Sequence, residues 1–164
     1  MAHDCSKKHT NEGEKMKKYI KEKSKDPAFS LHDARIIDFK FDYDSMSLTL
    51  VTDHGYINIA KNEMVEGDIM LQDISIEDSY VYILNYQNVL CGNVGSFIGE
   101  KMKLETFIEA YPSKFLGFDV IDEYDGYRTF IMNGFLSRKG EIPEDLEASF
   151  EIYYKGDFVY QVRD

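Results

Sequence analysis

Apolar and polar residues alternate along the segment that decides the fold, RIIDFKFDYDSMSLTL at residues 35–50. Successive side chains of a strand point to opposite sides, so this alternation predicts two half-buried strands. The apolar residues that share a face are Ile37, Phe39 and Phe41 in the first strand, and Met46, Leu48 and Leu50 in the second. A turn at 42–45 joins the strands. The segment therefore predicts an antiparallel hairpin in which residue i opposes residue 87 − i to 89 − i.

The rest of the chain continues this alternation of apolar and polar residues and adds one helix. Alternation at 70–76 and 80–86 predicts a second hairpin, and Asp125-Gly126 predicts a two-residue turn in which Gly126 has positive φ and residue i opposes residue 251 − i. The helical spacing of Leu104, Phe107, Ile108 and Tyr111 predicts a helix that Pro112 ends. We therefore predict an α+β fold, mainly antiparallel β, with one principal helix. A curved sheet, a partial barrel and a sandwich all satisfy the pattern.

The first 26 residues differ from the remainder. Residues 1–26 carry eight lysines and five carboxylates and form a polar leader, either a short helix or a disordered segment. Met16, Tyr19 and Ile20 have helical spacing and follow a cap-like Asn11 and Glu14. Three apolar residues add little to a core, so we expect the leader to be dispensable for folding. Residues 27–164 are predicted to form a single antiparallel α+β domain.

Charge limits the classes of partner. The chain has 164 residues, is 43% hydrophobic and carries a net charge of −11. Because the leader contributes +3, residues 27–164 carry −14, which disfavours phosphate backbones and excludes nucleic acid as the expected partner. A basic protein fits better. The chain has no apolar run of about 18 residues, the length of a membrane span, so no membrane partner is expected.

Two isolated cysteines, Cys5 and Cys91, indicate a reducing, cytoplasmic location without a disulfide.

The hairpin register brings two His/Asp dipeptides to one end of the predicted sheet. His32 and Asp33 precede its first strand, and Asp53 and His54 follow its second. Imidazole and carboxylate groups together can bind a divalent metal or transfer protons. These four residues are therefore the candidate metal site. We expect no cofactor, and a divalent metal at these four residues is the one exception that the sequence leaves open.

Tyrosines form the second candidate site. Tyr80, Tyr82 and Tyr86 fall on one face of a predicted strand because they are separated by even numbers of residues. Tyrosine is enriched at protein interfaces, where it presents an apolar ring and a hydrogen-bonding tip. We therefore predict that this stripe binds a partner protein.

The six residues Leu31-His32-Asp33-Ala34-Arg35-Ile36 resemble the Leu-His-Asp-x-x-Ile strand start of some small acidic bacterial β-rich proteins. These include uncharacterised families and immunity-type proteins that neutralise toxins of neighbouring cells. The resemblance implies a non-enzymatic, partner-binding role for an acidic cytoplasmic protein.

Three hypotheses follow. The leading one is a non-catalytic binding or regulatory domain with an acidic protein-binding surface. The alternatives are a small metal-assisted hydrolase-like enzyme that uses the His/Asp cluster, and a barrel-like carrier of a small ligand. The sequence leaves the oligomeric state open.

Overall fold

A computed structural model describes residues 15–23, 25–87 and 95–164. Within these ranges the chain forms thirteen β-strands, one α-helix and a 3-10 helix at Ile76–Asp78. The α-helix, α1, spans Leu104–Lys114. The strands are β1 (Met16–Ile20), β2 (Phe29–Ser30), β3 (Arg35–Asp42), β4 (Ser47–Thr52), β5 (Tyr56–Asn58), β6 (Glu63–Val65), β7 (Gly67–Leu71), β8 (Tyr80–Gln87), β9 (Ser96–Lys103), β10 (Phe115–Asp125), β11 (Thr129–Arg138), β12 (Glu144–Tyr153) and β13 (Phe158–Arg163).

Ten of these strands form one antiparallel sheet in the order β1-β13-β7-β4-β3-β10-β11-β12-β8-β9, and β2, β5 and β6 form a small second sheet. The large sheet is curved and unclosed, which confirms the predicted α+β class of mainly antiparallel strands with one helix. Of the architectures that the sequence leaves open, the curved sheet is the one that forms.

The curvature brings the two halves of the large sheet face to face around an aromatic core. Phe39 of β3 stacks on Phe150 of β12 with ring centroids 5.1 Å apart. Phe158 of β13 meets Phe130 of β11 at 4.9 Å. Phe107 of α1 contacts both Phe39 and Phe150, at 5.2 and 5.0 Å. Because all five rings are buried, the helix and both halves of the sheet are stabilised by the same apolar contacts.

The β3–β4 hairpin has the predicted register, with one irregularity. Phe39 opposes Leu50 and Asp42 opposes Ser47, as the sequence predicts. A bulge between Ile36 and Asp38 then shifts the alternation, so that Ile36 is buried. Ile37 is 39% exposed, and its predicted place in the core is wrong. An extra residue in one strand moves the following side chains to the other face.

The segment Met16–Ile20 is a strand, so the helix predicted from the spacing of Met16, Tyr19 and Ile20 is wrong there. All five residues of β1 pair with β13, from Met16 opposite Arg163 to Ile20 opposite Val159. Pairing with a strand remote in the sequence outweighs a weak local helical pattern. The cap-like Asn11 and Glu14 lie outside the described residues.

The β10–β11 hairpin exists, but its turn is longer than predicted. Asp125 opposes Phe130, and Tyr124 opposes Ile131 rather than Tyr127. Gly126 does not have positive φ; Arg128 does, with φ of 56°. The amide of Gly126 donates to the carbonyl of Thr129, and the amide of Tyr154 donates to the carbonyl of Arg128. The first bond closes a three-residue loop, 126–128, in place of the predicted two-residue turn, and the second joins this loop to the residue after β12.

Two further predictions need correction. The segments 70–76 and 80–86 do not pair with each other, because β7 pairs with β4 and β13 while β8 pairs with β12 and β9. The predicted helix is present and includes Pro112, which lies in its last turn, so it ends later than predicted. A proline there removes one hydrogen bond, and the amide of Phe115 still donates to the carbonyl of Tyr111.

Candidate functional site

The structure brings the two His/Asp dipeptides to the same end of the β3–β4 hairpin, where the amide of Asp53 donates to the carbonyl of Arg35 at 2.9 Å. Each histidine contacts its own neighbour in sequence. His32 Nδ1 lies 3.0 Å from Asp33, and His54 Nε2 lies 3.3 Å from Asp53, with all four side chains exposed.

This arrangement does not assemble a joint ligand set. Among the residues that the structure describes, no group of three or more His, Cys, Asp or Glu side chains could hold a metal ion. Asp33 has a φ of 67°, a turn conformation that short polar side chains tolerate. The local geometry is thus that of two turns, and the metal site stays a prediction.

The tyrosines lie on the outer side of the second half of the sheet. Val81 and Ile83 of β8 are buried, so the alternating side chains of Tyr80, Tyr82 and Tyr86 point away from the core. All three are half-buried. We call the outward side chains Tyr80, Tyr82 and Tyr86 of β8 and Glu147 and Glu151 of β12 the tyrosine face.

Strand pairing places charges on both sides of the tyrosines. On the β9 side, Lys103 opposes Tyr80 and Lys101 opposes Tyr82. On the β12 side, Glu151 opposes Tyr80 and Ser149 opposes Tyr82. Cross-strand neighbours on one face are close enough to interact. The tyrosine face therefore has a basic border at β9 and an acidic border at β12.

On the basic border, the lysines lie over the tyrosine rings. The ammonium of Lys101 is 4.1 Å from the centre of the Tyr80 ring and 5.1 Å from that of Tyr82, and Lys103 lies 4.6 Å from Tyr80. A cation over an aromatic face is favourable. A hydrogen bond with Tyr82 also raises the pKa of Lys101.

The acidic border contains an unsatisfied carboxylate. Tyr82 donates to Glu151 at 3.1 Å. One oxygen of Glu147, Oε2, is buried without a hydrogen-bond partner among the described residues. Burial, then the negative charge of Glu147 and a hydrogen bond with its carboxylate, raise the pKa of Tyr86. The structure therefore holds a carboxylate beside tyrosine, with an acceptor that no described group satisfies.

An open pocket adjoins this carboxylate. Its lining residues are Ile121, Asp122, Asn133, Gly134, Phe135 and Glu147. The β10 bulge between Val120 and Asp122 lies at its rim. The pocket thus adds a second carboxylate and two apolar side chains to the acidic border.

Sequence reasoning identified the tyrosines and missed Glu147, Glu151 and Asp122. Alternation with the buried residues Leu146, Ala148 and Phe150 could have placed the two glutamates on the outer side. Their position beside the tyrosines depends on the β12–β8 register, for which no short-range signal exists.

Comparison of the chain with protein-family models, with curated proteins and with solved structures finds no match. In the described part of the chain, no helix has both the length and the apolar character needed to cross a bilayer.

Proposed function

We propose that this protein is a non-catalytic binding or regulatory domain. Its tyrosine face binds a partner protein, and basic side chains of that partner contact the glutamates of the face. The observation that carries the proposal is Oε2 of Glu147, which lies buried beside Tyr86 and has no hydrogen-bond partner within the described ranges. A buried acceptor without a partner costs free energy, and an arginine or lysine of a binding partner would remove that cost. The negative net charge of the chain also favours a basic partner.

The tyrosines provide the other property that such a surface needs. A half-buried tyrosine ring loses little conformational freedom on binding and offers apolar area together with a hydroxyl group. Tyr82 is already held by Glu151, which orients its ring before the partner arrives. Preorganised side chains reduce the ordering cost of association.

The basic border gives the surface a direction. Because Lys101 and Lys103 lie on one side and Glu147 and Glu151 on the other, a partner with one charged side fits in one orientation only. The resemblance at residues 31–36 adds an immunity-type role in the cytoplasm as one form of this function.

The two alternative functions receive less support. A metal-assisted hydrolase would need His32 and His54 to act together, and each contacts its own neighbouring aspartate. A small-ligand carrier would need interior space, and aromatic rings of Phe39, Phe107 and Phe150 pack against one another in the core.

The test uses a peptide of alternating arginine and valine, and a matched peptide with glutamate in place of arginine. Amide NMR spectra of the protein should shift on titration with the basic peptide, at residues 80–86 and 145–151. The glutamate peptide should leave them unchanged. Shifts that are dispersed over the surface, or equal for both peptides, would contradict the proposal.

Matched variants separate this face from general charge attraction. Glu147→Gln and Glu109→Gln change the net charge equally, but Glu109 is exposed on α1, away from the tyrosine face. We expect Glu147→Gln and Tyr82→Ala to weaken binding of the arginine peptide several-fold and Glu109→Gln to have a small effect. Equal weakening by both glutamine variants would show that only net charge matters.

A further inference from the structure

Strand β9 leaves one edge of the sheet open. It is the last strand in the order, and within the described residues only β8 pairs with it. Seven of its eight residues are exposed, including Phe97 at 56% and Ile98 at 62%. Edge strands are usually short, charged or covered, because unpaired backbone groups readily accept another strand. The part of β9 around Ile98 has none of these protections, while Lys101 and Lys103 protect the other end.

One hydrogen bond shows which residues of β9 bond to β8 and which direct their backbone groups to the open edge. The amide of Leu104 donates to the carbonyl of Ser79 at 2.9 Å, and the β8–β9 register continues without a shift. In an antiparallel pair, hydrogen-bonded and non-hydrogen-bonded positions alternate. Ile98 therefore bonds to β8, whereas the amides and carbonyls of Phe97, Gly99 and Lys101 point to the open edge.

We propose that two copies of this chain associate through β9, in an antiparallel pair with its two-fold axis at Ile98. In this register Ile98 opposes Ile98 of the second copy as a non-hydrogen-bonded pair, the kind in which side chains approach most closely. Phe97 opposes Gly99 of the second copy, which carries no side chain to obstruct the approach of the two strands. The outward backbone groups of both residues then bond to each other.

The occupant is a second copy because the strand is complementary to itself in this register. Glu100 opposes Ser96, and Lys101 opposes Gly95, so no like charges face each other. Moving the axis to Gly99 would put Phe97 against Lys101 and Ile98 against Glu100. Moving it to Glu100 would oppose two carboxylates, which is unfavourable. The axis at Ile98 alone pairs apolar residues with apolar residues or glycine.

The dimer has two physical consequences. Edge-to-edge pairing keeps both outer surfaces on the same side, so the two tyrosine faces would form one continuous surface. Each chain carries a net charge of −11, so the bodies repel each other and added salt should strengthen association. The proposal stands independently of the binding function, because it rests on β9 and not on the glutamates.

Cysteine cross-linking tests the register in a background in which Cys5 and Cys91 are replaced by serine. Two Ile98→Cys copies would place their Cα atoms about 4.5 Å apart, within disulfide range. In Ser96→Cys, on the same face of the same strand, they would be about 14 Å apart. We expect Ile98→Cys to form disulfide dimers at least roughly tenfold faster. Equal rates for the two variants would overturn the register.

Sedimentation of the full chain tests association itself. We expect a monomer–dimer equilibrium that shifts to dimer with protein concentration and with sodium chloride. Ile98→Lys should abolish the dimer by opposing two ammonium groups at the axis. Ile37→Lys, at another exposed isoleucine, should retain it, with circular dichroism confirming that both variants fold. A wild-type chain that is monomeric at every concentration and salt level, or equal loss in both variants, would overturn the proposal.

Discussion

The two edge strands of the large sheet, β1 and β9, are held in different ways. β1 has five exposed residues, and its anchor lies just beyond its end, where Lys21 contacts Asp125 at 3.6 Å. Their side chains are only 12% and 9% exposed. Lys21 also lies 4.7 Å from the centre of the Phe158 ring. This edge is therefore held by the pairing of all five β1 residues with β13 and by a mostly buried ion pair just beyond the strand.

In the part of the chain that the structure describes, no ion pair holds β9. Its outward lysines lie on the tyrosines of β8, its eight residues pair with β8 along their length, and the chain continues directly into α1. Both edges pair along their length with one neighbouring strand, and only β1 is followed by a mostly buried ion pair within the described residues. The stability of the β1 edge therefore depends in part on that charge.

Deletion of residues 1–26 should have the largest effect. It removes β1 and Lys21, leaving Asp125 mostly buried without a cation, so we expect a loss of about 3–5 kcal/mol of unfolding free energy. Urea denaturation measures it. An unchanged midpoint would show that the leader is dispensable, as the sequence predicts, and that β1 contributes little.

Lys21→Met tests the Lys21–Asp125 ion pair separately from the pairing of β1 with β13. It keeps the apolar stem but removes the charge, and we expect a loss of about 2–3 kcal/mol in urea denaturation. Lys17→Met is the matched control on β1. Lys17 pairs with Asp164 at 2.6 Å, but both side chains are well exposed, so its removal should leave the midpoint nearly unchanged. Similar losses of unfolding free energy in the two variants would show that the buried ion pair contributes no more than the exposed one.

Alkaline pH compares the core behind β1 with the core around α1, where Tyr111 packs on Phe39. Burial raises the pKa of Tyr111 on α1 to about 12 and also raises the pKa of Tyr56, which lies behind β1. Because both remain neutral in the folded state above pH 10, where the unfolded chain ionises, stability is complete below pH 10 and falls from pH 10 to 12. Each contributes a slope of about 1.4 kcal/mol per pH unit.

Replacement of either tyrosine by phenylalanine should flatten this slope equally, as measured by denaturation at pH 10 to 12. If β1 opens first, Tyr56 ionises in the native state, and Tyr56→Phe would leave the slope unchanged. That result would show that the core behind β1 opens before the core around α1.

Gly126→Val should have the smallest effect. Lys23, just after β1, donates to the carbonyl of Gly126 at 3.4 Å, so this loop supports the β1 edge. A Cβ at Gly126 would meet only the carbonyl oxygen of Thr129, at 3.6 Å, and the residue does not need positive φ. We expect a change below about 0.5 kcal/mol in urea denaturation. A cost of about 1–2 kcal/mol would instead indicate the two-residue turn that the sequence predicts.

The sequence predicts what depends on near neighbours. The β3–β4 hairpin and α1 follow from alternation and helical spacing within short segments, and the shared face of the tyrosines follows from alternation along β8. The partners of β1 and β8 could not be predicted, because β13 and β12 lie far along the chain and apolar strands fit many neighbours equally well.

The same reason limits prediction of the candidate site. Tyr80 and Tyr82 can be placed on one face from their spacing alone. The contact between Tyr82 and Glu151 requires the pairing of strands that are remote in sequence. These two residues are 69 positions apart, with β9, α1 and the β10–β11 hairpin between them. Bulges add a further obstacle, since the one at Ile37 reverses a side chain without a distinctive residue to mark it.

The pairing of β1 with β13 also sets the order in which the molecule can be completed during synthesis. Lys17 and Asp164, which meet at this pair, are separated by 147 residues. A ribosome releases β1 early, and β1 must wait for almost the whole domain before its partner emerges. Contacts between such distant segments form slowly, because a long loop has to close first. Until then, the nascent chain carries Met16, Tyr19 and Ile20 on an unpaired segment, where chaperones could bind them.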